Sequence, residues 1–483
     1  MNYRMVLNML GKILLTVAAL MLLPLIIAVA RHEREFIAFI YSILVTGGIG
    51  TACSLVKPKS TVIYAKEGFT TVALAWVLMS VLGSLPFLFS GTCKSIIDAV
   101  FETASGLTTT GATILSEIES LPHGIGFWRV FIIFIGGMGV LVFVMAILPL
   151  SKERSMHIMR AEVPGPVVGK LVSKARISAI ILYSIYIALM LLQAILLLFG
   201  GMTPYAAFTT ALSTAGTGGF CVTNAGLIAE SYYCQTVCTV FMLIFAINFN
   251  LYFYLLLRKF GQVAKNEELH WFFAIYVIAV AIISIDTAKL YPSFGLSVHH
   301  AAFNAASVYS TTGFASFDFN TWPPLSKCVL LLLMACGGCA GSTAGGIKTS
   351  RIVILLKNFG NELRRLIHPK YVQTLSIDKH PVDPRLVSAV QVFFSAMMGI
   401  LFVSILLISI NGYDFETNIS SVFACLFNVG PGLALAGPTS NFGFFSDFSK
   451  VVLTIDMLIG RLEIWPMLLL FVPSTWRRRA GYR

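Results

Sequence analysis

Charge is what this chain has least of. Only 12% of its 483 residues are Asp, Glu, Lys or Arg, while 57% are hydrophobic. No soluble domain of this length is so apolar, so the chain reads as an integral membrane protein. Strand-type alternation is also missing, which argues against a β-barrel and leaves helices as the spanning elements. The nine cysteines are odd in number and scattered. Cys336 and Cys339 form a CxxC, but there is no second pair and no nearby histidine. Close packing of small polarizable residues therefore fits better than a metal or redox site. The basic residues have no aromatic platform and no soluble domain to sit on, which excludes nucleic-acid binding. No low-complexity stretch and no long disordered tail is present.

What the chain does have is apolar runs of spanning length. The first, near 9–30, is too long for a signal peptide and a second spanning run follows it, so it reads as a retained helix. The net charge of +12 collects in alternate loops. Lys152, Arg154, Arg160, Lys170, Lys174 and Arg176 lie in one; Lys357, Arg364, Arg365, Lys370, Lys379 and Arg385 lie in another; Arg477, Arg478 and Arg479 lie at the C-terminus. All fall on one side if both termini are cytoplasmic, as topology requires. Asp98, Glu102, Glu117, Glu119 and Glu230 gather on the other side, with few bases beyond Lys94.

Two leading helices, about 8–30 and 36–56, precede four similar units. Each unit reads as a helix, a half-helix too short to span, a loop and a second helix. The expected segments are 68–90, 95–107 and 126–150, then 177–200, 203–214 and 233–258. Those of the last two units are 271–288, 297–309 and 326–357, then 386–411, 416–427 and 449–472. That gives ten spanning helices and four re-entrant half-helices. It divides the chain into an extension, 1–62, and repeats at 63–165, 166–262, 263–376 and 377–483. The expected fold is thus an all-α polytopic membrane protein, with four helix–pore-helix–helix repeats around a pseudo-four-fold pore.

The loops after the half-helices resemble one another. They are Leu107-Thr-Thr-Thr-Gly-Ala112, Thr214-Ala-Gly-Thr-Gly-Gly219, Ser310-Thr-Thr-Gly-Phe314 and Phe427-Asn-Val-Gly-Pro431. Aligned on Gly111, Gly218, Gly313 and Gly430, they recur about every hundred residues. A permeating cation must replace its shed water with other oxygens. Glycine lets successive carbonyls turn to one side, because it lacks a Cβ, and threonine adds a hydroxyl. Thr109, Thr110 and Gly111, with Gly216, Thr217 and Gly218, Thr311, Thr312 and Gly313, and Asn428, Val429 and Gly430, would stack their oxygens around one axis. The half-helices would aim their partly negative ends at the ion. No loop places a carboxylate beside its central glycine, which favours a monovalent cation over a divalent one.

Two further features suggest a gate. The first is the run Gly337-Gly-Cys-Ala-Gly-Ser-Thr-Ala-Gly-Gly-Ile-Lys348, which interrupts the last helix of unit three near mid-membrane. Its glycines Gly337, Gly338, Gly341, Gly345 and Gly346, with Ser342, Thr343 and Lys348, cannot hold a straight helix. It is either a movable flap or a packed kink. Its likeness to a phosphate-binding loop fails, since Ile347 separates Gly346 from Lys348 and no strand precedes it. The second is Arg461, expected near the middle of the last spanning helix, where a charge faces a cavity or a partner. In a cavity it would repel cations; otherwise it is buried and paired. Glu463, two positions on, lies off its helix face. His299 and His300 open the third half-helix and would either sense outside pH or simply start it. Asp286 and Asp456 read as interfacial carboxylates. The tryptophans, mostly near helix ends, read as interface anchors.

Together these residues resemble the Trk/Ktr/HKT superfamily of potassium uptake proteins, and within it the Trk-type pore subunit. The likeness rests on Ala104-Ser-Gly-Leu-Thr-Thr-Thr-Gly-Ala-Thr113, the Gly337-to-Lys348 break, Asn428-Val-Gly-Pro-Gly432 and Ile459-Gly-Arg461. The extra helix pair at the start is similar to the Trk branch. The resemblance implies K+ as the transported ion, with no organic cofactor in this chain. It implies a plasma-membrane homodimer with one pore per subunit, and a cytoplasmic nucleotide-binding regulatory subunit docked on it. It also implies gating by the unit-three loop together with Arg461. In related plant proteins, Gly rather than Ser at the position of Gly111 accompanies potassium selectivity. The expected function is potassium uptake across the plasma membrane, with sodium- or proton-coupled uptake, or sodium conduction, as the alternative. A membrane-embedded enzyme lacks an assembled acid, base and nucleophile. A sensor with vestigial loops would not need the glycines.

Overall fold

The computed structural model describes residues 1–58, 64–139, 175–369 and 374–476. The basic residues Lys152, Arg154, Arg160, Lys170, Lys174, Lys370, Arg477, Arg478 and Arg479 lie outside the described residues. The leading pair forms Tyr3–Leu20 with Leu22–Ala30, and Phe36–Ser54. The first two pieces make one span of 28 residues. The pair packs backbone to backbone. A Cβ on Gly11 would come within 2.7 Å of the Gly50 carbonyl, and one on Gly50 within 3.1 Å of the Gly11 carbonyl. Small residues of this kind let membrane helices approach closely.

The four units follow in order. Unit one has Ala65–Leu82 with Leu85–Phe89, the half-helix Ile96–Leu107, and His123–Gly137. Unit two has Ala175–Phe199, Pro204–Gly216, and Tyr232–Ala246 with Phe249–Leu256. Unit three has Glu267–Asp286, Phe294–Tyr309, and Pro324–Cys336 with Thr349–Ile367. Unit four has Pro384–Ile408, Phe415–Leu426, and Asp447–Arg461 with Trp465–Phe471. A two-residue hairpin, Ser376–Ile377 with His380–Pro381, precedes unit four.

Each half-helix starts on a side chain that caps it. Ser95, Thr203, Ser293 and Asp414 accept from the backbone N–H of Ile97, Ala206, Leu296 and Thr417 respectively. Such caps satisfy amides that the first helical turn leaves without partners, at about 1 kcal/mol each. The Thr417 hydroxyl and amide also hold the Asp414 carboxyl below the usual carboxylate range. The half-helices run from 12 to 16 residues, too short to cross a bilayer.

The second helices differ from expectation. Each stops after 13 to 15 residues, where only that of unit three is expected to break. Unit two bends by 93° at Ile247 and Asn248. Unit three breaks at the expected glycine run. Unit four breaks directly after Arg461, where Glu463 and Ile464 take positive φ of 54° and 69°. Unit one's helix ends at Gly137, and residues 140–150 of its expected extent lie outside the described residues. Among the described residues, six helices are long and apolar enough to cross a membrane, or seven with the bent pair, and the broken second helices of the other units fall short of that length.

Three tryptophans also depart from expectation. Trp76, Trp128 and Trp322 are buried in the core, and Trp128 donates to the Gly83 carbonyl at 3.0 Å. Asp456 is not interfacial either. It is buried between unit four's helices and accepts from the Ser404 hydroxyl at 2.7 Å. Large apolar side chains such as Leu44, Val277, Phe402 and Leu406 remain exposed on the perimeter, as a lipid-facing surface requires.

Candidate functional site

Each half-helix ends in the same turn. Thr109, Thr217, Thr311 and Asn428 are left-handed, with φ of 55°, 56°, 57° and 56°. Two residues on, Gly111, Gly219, Gly313 and Gly430 have φ of 84°, 67°, 85° and 103°. The residue between reaches back five positions to a helix carbonyl. Thr110 donates to Ser105 at 2.8 Å, Gly218 to Ser213 at 3.1 Å, Thr312 to Ser307 at 2.8 Å and Val429 to Ala424 at 2.8 Å. This is the hydrogen bond that closes a helix on a left-handed residue. A β-branched threonine there is strained, and the same strain recurs at three of the four turns.

These turns correct the alignment of unit two. Gly219, not Gly218, corresponds to Gly111, Gly313 and Gly430, and Gly216 belongs to its half-helix. Aligning by glycine identity cannot decide within a Gly-Gly pair; the left-handed turn at Thr217 does.

The four loops close into a ring. A Cβ on Gly111 would collide with the Gly218 carbonyl, one on Gly219 with that of Thr312, one on Gly313 with that of Val429, and one on Gly430 with that of Thr110. Each glycine thus makes room for a carbonyl of the next loop, in the order one, two, three, four, one. No other residue type fits at these positions. Below the glycines, the Thr109 hydroxyl and the Asn428 Oδ1 are buried without protein partners. The Asn428 amide donates to the Thr110 hydroxyl at 3.0 Å and to the Met457 carbonyl at 2.9 Å. Above them, a cavity of about 220 Å³ is lined by residues of all four exit loops, with Arg129 at its edge.

A second ring of contacts surrounds the first. Tyr205 donates to the His123 carbonyl at 2.9 Å, Gln235 meets His299 at 2.8 Å, Lys327 pairs with Glu416 at 3.1 Å and Lys450 with Asp98 at 2.6 Å. Each clasp joins the second helix of one unit to the half-helix of the next. His299 is thereby spent on packing, and His300 meets the Ser316 hydroxyl at 3.0 Å.

Beneath the ring lies the glycine run of unit three. It is folded against its neighbours. Cys339 donates to the Ala246 carbonyl at 2.9 Å, the Thr343 hydroxyl to that of Phe245 at 3.1 Å, and Phe249 to that of Gly341 at 3.1 Å. The bend of unit two therefore holds one side of the run. Glu268 braces the run from the side, accepting from Ala340 N–H within it at 2.7 Å and from Ser350 N–H just past it at 3.1 Å. Gly345 donates to the Thr311 hydroxyl at 2.7 Å, linking run to ring. Lys348 is buried and donates to the Ala344 carbonyl.

Arg461 sits at the end of its helix, not mid-helix as expected. Its guanidinium donates to the carbonyls of Thr343 at 2.7 Å, Gly136 at 2.7 Å and Gly137 at 2.6 Å. It thus ties the run to the helix end of unit one. Glu463 pairs with Arg351, which stacks on Phe393 at 4.1 Å.

Sequence reasoning missed Gly219, Glu268, Arg351 and Arg129. A signal was available for the last three, because any charge in so apolar a chain needs a partner.

A ring of four re-entrant loops within a helical bundle of spanning length defines an α-helical membrane transport protein built from four repeats. The model of the TrkH family, described as cation transport proteins, matches residues 31–478. The Trk system potassium uptake protein TrkH of Salmonella typhimurium is 34% identical over 484 residues, covering 99% of this chain and all of that protein. TrkG of Escherichia coli K12, also called a Trk system potassium uptake protein, is 31% identical over 483 residues, covering 99% of each. The crystal structure of the potassium transporter TrkH from Vibrio parahaemolyticus aligns with a TM-score of 0.89 at 33% identity, covering 99% of this chain and all of that one. This chain belongs to the TrkH family of cation transport proteins. It is a membrane protein of a transporter family and not an enzyme.

Proposed function

We propose that this protein takes up potassium through the ring of four loops. The observation that carries the reading is the cyclic contact of each loop glycine with the next loop's carbonyl. A ring so closed presents backbone oxygens to one axis, which suits a dehydrated monovalent cation. The names of the relatives, potassium uptake protein and potassium transporter, support the choice of ion.

The run 337–348 under the ring, fastened by Arg461, is the gate, and the hydrogen bonds around it correspond to a shut state. Opening requires Arg461 to leave the Thr343 carbonyl. The resemblance to Trk pore subunits supports a plasma-membrane homodimer with cytoplasmic termini and a nucleotide-binding regulatory subunit docked on its basic face.

The test is ion flux through purified protein in liposomes, with potassium and sodium gradients applied separately, for wild type and Gly111→Ser. Potassium-selective flux that loses its selectivity in the variant is expected, since any Cβ there strikes the Gly218 carbonyl. Equal potassium and sodium flux in wild type rejects the reading. Reversal potentials that follow potassium alone reject coupled transport.

A further inference from the structure

The strongest electrostatic feature outside the ring and the run is a buried ion pair behind the first two loops. Glu102 Oε1 accepts from Arg129 Nε at 2.6 Å, with side-chain exposures of 0% and 2%. Burying two charges inside a membrane protein is expensive unless every hydrogen bond is made. Here the pair is tied to the exit loops. The Glu102 carboxylate accepts from the Thr113 hydroxyl at 3.0 Å and the Ile114 N–H at 3.0 Å, just after Gly111. Arg129 donates to the Cys221 carbonyl at 2.9 Å and lies 3.6 Å from the centre of the Phe220 ring, just after Gly219.

Units three and four manage with neutral groups. Asn304, at the position matching Glu102 when the left-handed turns are superposed, donates to the Ser316 hydroxyl of its own exit loop at 3.2 Å. In unit four, the Ser420 hydroxyl accepts from Leu433 N–H at 2.8 Å. A neutral tether therefore suffices to hold an exit loop to its own half-helix. What the ion pair adds is reach, since Arg129 crosses from unit one to unit two.

A second observation says why that junction needs it. Loops one and three carry an internal hydroxyl bridge, Thr108 to Thr110 at 2.8 Å and Ser310 to Thr312 at 2.7 Å. Loop two has glycine at both matching positions, Gly216 and Gly218, so it cannot form one. Loop four lacks the bridge as well, with Phe427 and Val429 there, but its Asn428 amide ties it to the Thr110 hydroxyl and the Met457 carbonyl. The loop-two Gly218 carbonyl is the one packed against Gly111.

We infer that the Glu102–Arg129 pair is a specificity-determining clamp, which sets the spacing of loop two against loop one and thereby the ring's discrimination between potassium and sodium. The inference rests on the ring being the ion pathway. The clamp touches no ion; it acts as a positioning device for carbonyls that do.

The experiment measures the potassium-to-sodium permeability ratio of full-length protein in liposomes for wild type, Arg129→Lys and Glu102→Gln. Thermal melting and membrane yield are followed alongside. Arg129→Lys keeps a charge beside Glu102 but not the second arm to Cys221. Its ratio should fall about fivefold or more while potassium flux stays within about threefold, since carbonyl spacing governs discrimination more than passage. Glu102→Gln leaves Arg129 uncompensated at the mouth, so the potassium KM should rise as well. Folded variants that keep the wild-type ratio overturn the inference. If neither charge variant reaches the membrane, Phe220→Leu takes their place, because it leaves the ion pair intact and removes the surface under the guanidinium. A fall in its ratio supports the clamp and an unchanged ratio overturns it. A wild type that does not discriminate at all refutes the functional reading instead, so the two failures are told apart.

Discussion

The ring of loops and the floor beneath it are built by opposite means. In the ring, every unit contributes the same thing, a left-handed residue and a glycine two positions on. In the floor, every unit contributes something different. Unit one offers two carbonyls, unit two a right-angled bend, unit three the glycine run and unit four an arginine. On the proposed reading, repetition serves a part that presents equal oxygens around an axis, and divergence serves a part in which one element moves while its neighbours stay. The ring closes on backbone and steric fit, with charged pairs bracing it from outside; the floor is closed by charge and hydrogen bonds directly.

Breaking the floor should therefore release flux, and breaking the ring should spoil it. Arg461→Ala removes three charge-assisted bonds, each of about 1.5–3 kcal/mol. Partner-free potassium flux in liposomes should rise by roughly a hundredfold, as that much differential stabilisation allows. A silent variant of normal yield would sink the gate. Within the ring, Gly219→Ala and Gly218→Ala test the corrected register. Alanine at Gly219 meets the backbone carbonyl of Thr312, whereas at Gly218 it meets only the Ile133 side chain. Flux should fall more than about tenfold in the first and less than about threefold in the second, because a side chain can yield where backbone cannot. Equal losses would restore the original alignment.

A smaller effect should follow from Glu268→Gln, which keeps the shape of the anchor and removes its charge. Weaker acceptance from Ala340 and Ser350 should raise partner-free flux by about fivefold, in keeping with the halved strength of neutral hydrogen bonds. Unchanged flux would show that the unit-two bend alone holds the run. Smallest is Ser95→Ala, outside both regions' chemistry. Losing the cap on the first half-helix should cost about 1 kcal/mol of stability in thermal melting and leave the permeability ratio alone.

The ring was more legible in the sequence than the floor, for a physical reason. Its parts need glycine at fixed places, and the repeat of glycine and threonine every hundred residues exposed them. It misled only at Gly218 and Gly219, where two glycines stand together. The floor's breaks leave no such trace. The bend at Ile247 and Asn248 contains neither Gly nor Pro, and Ile464 is a β-branched residue at φ 69°. Tertiary contacts hold that strain, and local propensity gives no hint of it. The glycine run was the exception, and it alone was read as a break. Charged residues were the unused clue. Arg129 and Arg351 stand in apolar runs, Glu102 counts in the sequence only toward the acidic side, and Glu268 only opens a helix, yet each proves to be paired or hydrogen-bonded.

The contacts that close the ring join the first unit to the last. Asn428 meets Thr110 across 318 residues, Lys450 meets Asp98 across 352, and Arg461 meets Gly136 across 325. A chain made from its N-terminus therefore holds an incomplete circle until its fourth unit enters the bilayer. That same unit carries Gly430, which finishes the circle, and Arg461, which fastens the floor. On the proposed reading, the means to choose an ion and the means to stop it arrive together, so synthesis passes through no stage that is both complete enough to conduct and not yet able to shut.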